Sequence, residues 1–313
     1  MVDGKDKLIL FELLQDCRQP ISKIAKAVNF PQQTVSYRIK KMEDKGLIIK
    51  YSVNVDYQKL GMGRHSLYLD INGVNTDSVE KYLKSISKIK EVSCCYTLHS
   101  MSRWKIYISI WTKKVERYDE IQTLIMSKFK NHINNYLSFQ SVKSYTYFAR
   151  GLNPEKKAKV DIKDKVNNIK LKEIDWKIIE ELKKNSRILV LDLAQKLKSS
   201  INTIRSRIKF LKDKDVIQRF YVVINLKKIK TPEYNFISRI DPSYQKELNE
   251  FMEFTERDSR FTIVIKAVGY VNLYYSFIAR DNKEYEEITH KVEKIFGRGI
   301  LETHKIINEN VIN

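Results

Sequence analysis

Residues 34–48 read Thr34-Val35-Ser36-Tyr37-Arg38-Ile39-Lys40-Lys41-Met42-Glu43-Asp44-Lys45-Gly46-Leu47-Ile48, and residues 203–217 read Thr203-Ile204-Arg205-Ser206-Arg207-Ile208-Lys209-Phe210-Leu211-Lys212-Asp213-Lys214-Asp215-Val216-Ile217. Arg38-Ile39-Lys40 falls on Arg207-Ile208-Lys209, and Ile48 on Ile217, at a constant offset of 169 residues. The same offset sets Asp6 on Asp175, Leu13 on Leu182, Ala25 on Ala194 and Lys59 on Lys228. A helix pair can match by accident at one place. A fixed register over roughly a hundred residues signals duplication. Two copies are too few for a solenoid, so the chain reads as a tandem fusion of two related modules.

Each copy opens with three short helical patterns. In the first, Leu8, Ile9 and Leu13 lie at helical spacing, and Pro20 breaks the chain before a second helix carrying Ile24-Ala25 and Val28. A turn at Asn29-Phe30-Pro31 leads to a third helix from Gln32 to about Lys45, with Val35, Ile39 and Met42 inward and Gly46 as its stop. The second copy predicts helices over 174–185, 189–198 and 201–214, with Ser200 as the N-cap of the last and Ile204, Ile208 and Leu211 inward. Asp215 stands where the first copy has glycine. After the third helix, Ile49, Tyr51, Val53 and Val55 alternate, which suits a strand or a wing hairpin.

Three helices and a wing describe a winged helix-turn-helix, whose third helix enters the major groove of a DNA duplex. The outward residues of that helix in copy one are Gln32, Gln33, Thr34, Ser36, Tyr37, Lys40 and Lys41. In copy two they are Asn202, Thr203, Arg205, Ser206, Lys209 and Lys212, preceded by Ser200. Gln and Asn suit adenine, Arg suits guanine, and hydroxyls reach bases or phosphates; a solvated surface face is the plainer alternative. Arg38 and Arg207 hold the same position in both copies, where either a phosphate contact or an internal ion pair fits. Lys50 and Arg219, matched in the two wings, are expected to attract phosphate without reading sequence.

Charge agrees with a polyanionic partner. Residues 170–230 hold 17 basic and 7 acidic side chains, against 11 and 7 in residues 1–60, within a chain of net charge +20. Double-stranded DNA is therefore the expected partner, and no apolar run approaches the roughly 20 residues that span a bilayer. Cys17, Cys94 and Cys95 have no metal-ligand spacing and read as core residues of a protein in a reducing cytoplasm. No metal, cofactor or catalytic set is apparent, so no enzymatic activity is expected.

The remainder of each copy alternates as strand–helix–strand–strand–helix–strand, over residues 64–147 and again over 234–307. This βαββαβ order is the ferredoxin-like split, so the fold class expected is α+β. The divisions expected are a winged helix-turn-helix over 1–62, a ferredoxin-like domain over 63–149, a linker over 150–171, a second helix-turn-helix over 172–231 and a second ferredoxin-like domain over 232–313. At about 3.3 Å per residue the linker reaches roughly 70 Å, and half-sites one helical turn apart need about 34 Å.

Both copies resemble the Lrp/AsnC (feast/famine) transcription regulators. The resemblance is carried by Ile24-Ala25, by Val35-x-x-Arg38-Ile39 through Met42 to Gly46-x-Ile48, and by Asn54-Val55-Asp56 to Leu60-Gly61. It implies dimerisation through the βαββαβ sheets and a small-molecule effector, an amino acid, held at a Gly-x-x-Asp turn between the second and third strands. Copy two keeps part of that turn as Gly269 and Asn272; copy one has His99-Ser100-Met101-Ser102-Arg103-Trp104 instead. The fusion would let one chain act as a pseudo-dimer, or several chains as a homo-oligomer, on an asymmetric operator. Siroheme decarboxylases resemble the same architecture, and an adaptor that has lost DNA binding is a further alternative.

Overall fold

The computed structural model describes residues 2–98, 102–147, 152, 160–163, 167–225, 228 and 232–306. They form two compact units that interleave along the chain, one built from the described residues of 1–60, 147–161 and 167–232, the other from those of 61–146, 162–166 and 233–313. Both three-helix segments therefore share the first unit and both ferredoxin-like segments the second.

In the first unit, copy one contributes α1 (Gly4–Gln15), α2 (Ile21–Val28), α3 (Gln32–Asp44) and β1 (Ile48–Val55). Copy two contributes α6 (Glu173–Lys184), α7 (Val190–Lys196), α8 (Ile201–Asp213) and β7 (Ile217–Ile224). Asp3 caps α1, accepting the Asp6 N–H at 2.8 Å, and Ser200 caps α8, accepting the Thr203 N–H at 3.0 Å. Gly46 ends α3 at φ +60°, and Asp215 takes the matching conformation at φ +54°. Copy two thus bears the small left-handed penalty that glycine spares copy one.

Of the two alternatives, strand or wing hairpin, the strand forms in both copies: β1 and β7 pair with each other, antiparallel, as a two-stranded ribbon centred on Ser52 opposite Tyr221. Backbone bonds around it come in matched pairs. Cys17 N–H donates to the Phe220 carbonyl and Ser186 N–H to the Tyr51 carbonyl, both at 3.0 Å. Likewise Asp56 N–H donates to Val216 and Asn225 N–H to Leu47. Each pair is related by the sequence offset, so the ribbon lies on a local pseudo-twofold axis. One hydrophobic cluster runs through both copies, from Ile9, Leu13, Ile24, Val35 and Met42 to Ile178, Leu182, Ile204 and Leu211, with Val53 and Phe220 from the ribbon. The cores of the two helix trios are continuous with each other. The linker, expected to be plain, carries β6 (Val160–Lys163), and Asn167 and Ile169 donate backbone bonds to Gln58 and Lys59.

The second unit holds β2 (Gly63–Ile71), α4 (Thr76–Ile86), β3 (Val92–Thr97), β4 (Ile106–Thr112), α5 (Val115–Lys128) and β5 (Ile133–Tyr147) from copy one. Copy two supplies β8 (Glu233–Ile240), α9 (Gln245–Arg257), β9 (Phe261–Gly269), β10 (Leu273–Ile278), α10 (Asn282–Phe296) and β11 (Ile300–Ile306). The strands run β11-β8-β10-β9-β5-β2-β4-β3, two ferredoxin-like sheets joined where β5 pairs β9. Leu67, Leu69, Ile106 and Ile108 pack under Val79, Leu83, Ile121, Ile125 and Phe129 of α4 and α5. In copy two, Phe251 of α9 meets Tyr275 and Phe261 of the strands and Phe296 of α10. The opposite face of copy one meets that of copy two, because the sheet curls until Trp104, before β4, touches His304 of β11 with ring centroids 5.5 Å apart.

Gly269 sits at the joint. Its φ is +136°, and a Cβ there would stand 3.0 Å from the Ser138 carbonyl oxygen and 3.1 Å from the Phe139 Cα. Gly269→Ala should therefore lower stability by about 1–3 kcal/mol, measured by urea unfolding, whereas Gly4→Ala, with open space around it, should not. His65 is buried against Tyr118, rings stacked at 4.0 Å, and burial pushes its pKa down to about 4. Its folded value lies below the unfolded value of about 6.5, so the unfolded chain binds the extra proton in that window. Stability should fall as pH drops from about 6.5 toward 4, and His65→Phe should flatten that part of the profile.

Candidate nucleic-acid interface

The third helices present the expected faces. On α3, Gln32, Gln33, Ser36, Tyr37, Lys40 and Lys41 are exposed and Thr34 is half-buried, while Val35, Ile39 and Met42 face the core. Tyr37 is 65% exposed, a large apolar area to leave in water, and the Lys41 ammonium lies 5.8 Å from its ring centroid. On α8, Asn202, Thr203, Arg205, Ser206, Lys209 and Lys212 are exposed. Three hydroxyls there are already engaged. The Ser200 cap shares a 2.8 Å bond with the Thr203 hydroxyl, and Ser206 donates to the Thr203 carbonyl at 2.9 Å. The free ends of α8 are therefore Asn202, Arg205, Lys209 and Lys212.

Arg38 and Arg207 take the ion-pair alternative. Arg38 donates to Asp3 at 2.8 Å and to Asp6 at 2.7 Å, tying α3 to the start of α1. Arg207 grips Asp175 in a two-pronged pair at 2.6 and 2.5 Å, with Asp175 fully buried. Asp3 is held below the usual carboxylate range, first by the Asp6 N–H and then by Arg38. Both guanidiniums fix the angle at which the third helix leaves the bundle, so their assignment to a phosphate surface is corrected.

Arg219 is corrected too. Its side chain is fully buried, donating to Asp161 at 2.7 Å and to the Leu14 carbonyl at 3.2 Å. Asn54 donates to the other Asp161 oxygen at 2.7 Å, so the linker residue is clamped by the ribbon from both strands. Lys50, its counterpart, stays half-buried in β1 opposite Val223. The effector residues have other work as well. Asn272 bridges the backbone of Ile240, accepting its N–H at 2.8 Å and donating to its carbonyl at 2.7 Å. Gly269 is required by the β5–β9 joint. His99, Ser100 and Met101 lie outside the described residues.

Arg18 and Arg187, one helical segment upstream and again offset by 169, were not singled out from sequence. Arg18 lies over the Phe220 ring at 5.3 Å and donates to the Ser186 carbonyl at 2.8 Å; Arg187 lies over Tyr51 at 4.6 Å and donates to its hydroxyl at 3.1 Å. Each arginine thus stacks on the ribbon strand of the other copy. Their matched register was the available signal. A cleft of about 310 Å³ brings Arg18 of copy one beside Arg205, Lys209 and Lys212 of α8, with Asp16 and Phe220 in its wall. Cations from both copies thereby converge next to one third helix. No group of three or more metal-ligating side chains occurs among the described residues, and no helix there is long and apolar enough to cross a membrane.

Two exposed helices of this kind, each on a three-helix scaffold, define a pair of winged helix-turn-helix DNA-binding units. A family model of that description matches residues 2–49 and 171–218. The HTH-type transcriptional regulator LrpA of Pyrococcus abyssi is 36% identical over 122 residues, covering 39% of this chain and 83% of that protein. LrpA of Pyrococcus horikoshii is 34% identical over the same shares. The chain belongs to the Lrp/AsnC family of transcription regulators, with two helix-turn-helix units in one polypeptide. The crystal structure of the siroheme decarboxylase NirDL has the same fold over nearly the whole length. Its TM-score is 0.62 at 13% identity, with 99% of this chain and 92% of that one covered.

The ion pairs and the exposed faces should separate by experiment. Asp161→Ala strands Arg219 in the core and should cost about 3–5 kcal/mol in urea unfolding. Arg38→Ala should also lose stability, yet leave the salt dependence of DNA affinity unchanged, whereas Lys40→Ala should reduce that slope by about one without destabilising the fold.

Proposed function

We propose that this regulator reads one asymmetric operator, its two copies pairing within a single chain in place of a homodimer. The observation that carries the reading is the matched pair of bonds from Cys17 to Phe220 and from Ser186 to Tyr51. They tie the two helix-turn-helix segments about a local pseudo-twofold axis, the relation that symmetric dimers use on two half-sites. The reading faces themselves differ. Copy one offers Gln32, Gln33, Ser36, Tyr37, Lys40 and Lys41, and copy two offers Asn202, Arg205, Lys209 and Lys212. Glutamine pairs with adenine and arginine with guanine, so the two half-sites would differ in sequence. Head two, joined by Arg18 in its cleft, would supply the larger share of salt-dependent affinity. Gly269 and Asn272 carry no part of this proposal, since the fold uses both.

The test is selection from random duplexes with the whole chain, repeated with Gln33→Ala/Lys40→Ala and with Arg205→Ala/Lys209→Ala. The expected result is one asymmetric motif, each double variant relaxing a different half by about 1–3 kcal/mol per lost base contact. A palindromic motif would refute two distinct heads, and no enrichment over salt-sensitive background would favour an adaptor role. The full-length likeness to NirDL supports a second reading, a tetrapyrrole-handling enzyme. Here His65 is packed on Tyr118 and His304 is paired with Glu302 at 2.9 Å. Titration with siroheme followed by visible absorbance distinguishes that reading.

A further inference from the structure

The cleft beside α8 gathers cations that no acid balances. Arg205, Lys209 and Lys212 are spaced by four and three residues, so they form one stripe along a flank of the helix. Arg18 enters the same cleft from the turn between α1 and α2 of copy one. Asp16 and Asp213 also line it, yet among the described residues no carboxylate lies within salt-bridge distance of any of the four cations. Arg38, Arg207 and Arg219 of the same unit are each paired with an aspartate. Burial lowers the Arg18 pKa from its ordinary value, the response of a cation drawn out of water without a counter-charge.

Arg18 is also held in a fixed pose. Its Nη1 donates to the Ser186 carbonyl at 2.8 Å, and its Cζ lies 5.3 Å from the Phe220 ring centroid. The Nε–Nη2 edge is uncommitted among the described residues, and a guanidinium edge meets an oxyanion in two parallel bonds.

The equivalent place in copy one is built differently. The offset of 169 puts Arg187 on Arg18 and Lys40 on Lys209, but Ser36 on Arg205, Glu43 on Lys212 and Tyr51 on Phe220. Two of the four cations are absent there, and an acid stands in for one of them. Arg187 donates to the Tyr51 hydroxyl at 3.1 Å, and that hydroxyl donates to Glu43. Phe220 has no hydroxyl with which to form such a chain. Copy one leads its arginine to a carboxylate of its own, and copy two leaves its cleft open to an anion from outside.

A helix lying in a major groove has a phosphate backbone along each flank. We propose that the cleft is a phosphate clamp acting across the copies, in which Arg18 of copy one and the Arg205–Lys209–Lys212 stripe of copy two take one backbone phosphate of the DNA, while Glu43 and Tyr51 close the equivalent place in copy one. The clamp rests on DNA binding by α8 and not on the asymmetry of the operator. A free phosphate ester carries the same chemical group; the backbone is favoured because the stripe belongs to the helix that enters the groove.

Binding of the full-length protein to a random-sequence duplex is measured by fluorescence anisotropy across a series of salt concentrations. Arg18→Gln should weaken binding and lower the salt slope by about one. Arg18→Lys, which keeps the charge and loses the fork, should fall between, and Arg187→Gln should leave the slope unchanged. Glu43→Lys/Tyr51→Phe should raise the slope by about one, and adding Arg187→Gln to that pair should remove the gain. This gain tests the clamp even where Arg18→Gln fails to fold. A parent slope in Arg18→Gln, or an equal loss in Arg187→Gln, would overturn the clamp. A gain that survives Arg187→Gln would come from the new lysine alone and would overturn the closed site of copy one. Thermal shift with inorganic phosphate and adenosine monophosphate separates the sources. Arg18-dependent binding of either, with a parent slope on DNA in Arg18→Gln, would assign the cleft to a free phosphate group. Loss of the asymmetric motif with these slopes intact would sink the two-head reading and leave the clamp standing.

Discussion

The antiparallel pairing of β1 with β7 is the constraint on which the helix-turn-helix unit depends. A two-stranded ribbon is marginal in water by itself. Here each strand is covered by the helices of the other copy, so ribbon and core stabilise one another. Truncating either copy would expose half of a shared hydrophobic cluster that includes Leu13, Ile24, Leu182 and Leu211. Arg18 and Arg187 cover the middle of the ribbon through the rings of Phe220 and Tyr51, one on each strand. The third helices are therefore displayed from one compact unit, each tied to its bundle by its own arginine–carboxylate brace.

The two braces have the same function but differ in construction. Copy one uses two aspartates, one of them the N-cap of α1, and its arginine meets each through a single nitrogen. Copy two uses one buried aspartate and a two-pronged grip. The fork geometry needs a single well-placed carboxylate, and the first copy spreads the same charge over a partly exposed pair. Duplication kept the mechanical role while the chemistry that fills it changed.

Much of this was legible in the sequence. Helix positions follow from period and punctuation, and the βαββαβ order from alternation, because those patterns are local. The partner of β1 was not legible. A period of two in Tyr51, Val53 and Val55 says which faces a strand has, and nothing about which strand lies beside it. Arg219 was misread for a related reason. Its match with Lys50 suggested a shared role, yet its fate is set by Asp161, 58 residues away in the linker. Between the second and third strands of each ferredoxin-like segment the offset itself changes. Leu98 N–H meets the Lys105 carbonyl, whereas Ala267 N–H meets that of Asn272, so the turn of copy one is two residues longer. Asn272 thereby aligns with Lys105, and Val271 with Trp104, both buried in the inner cluster.

Covalent linkage of the copies has a genetic consequence. In a homodimer every substitution is displayed twice, so a change that improves one half-site contact degrades or duplicates the other. Here Gln33 and Asn202 are separate positions of one chain, so each can change without the other. Because pairing is intramolecular, its effective concentration is set by chain length and not by expression level.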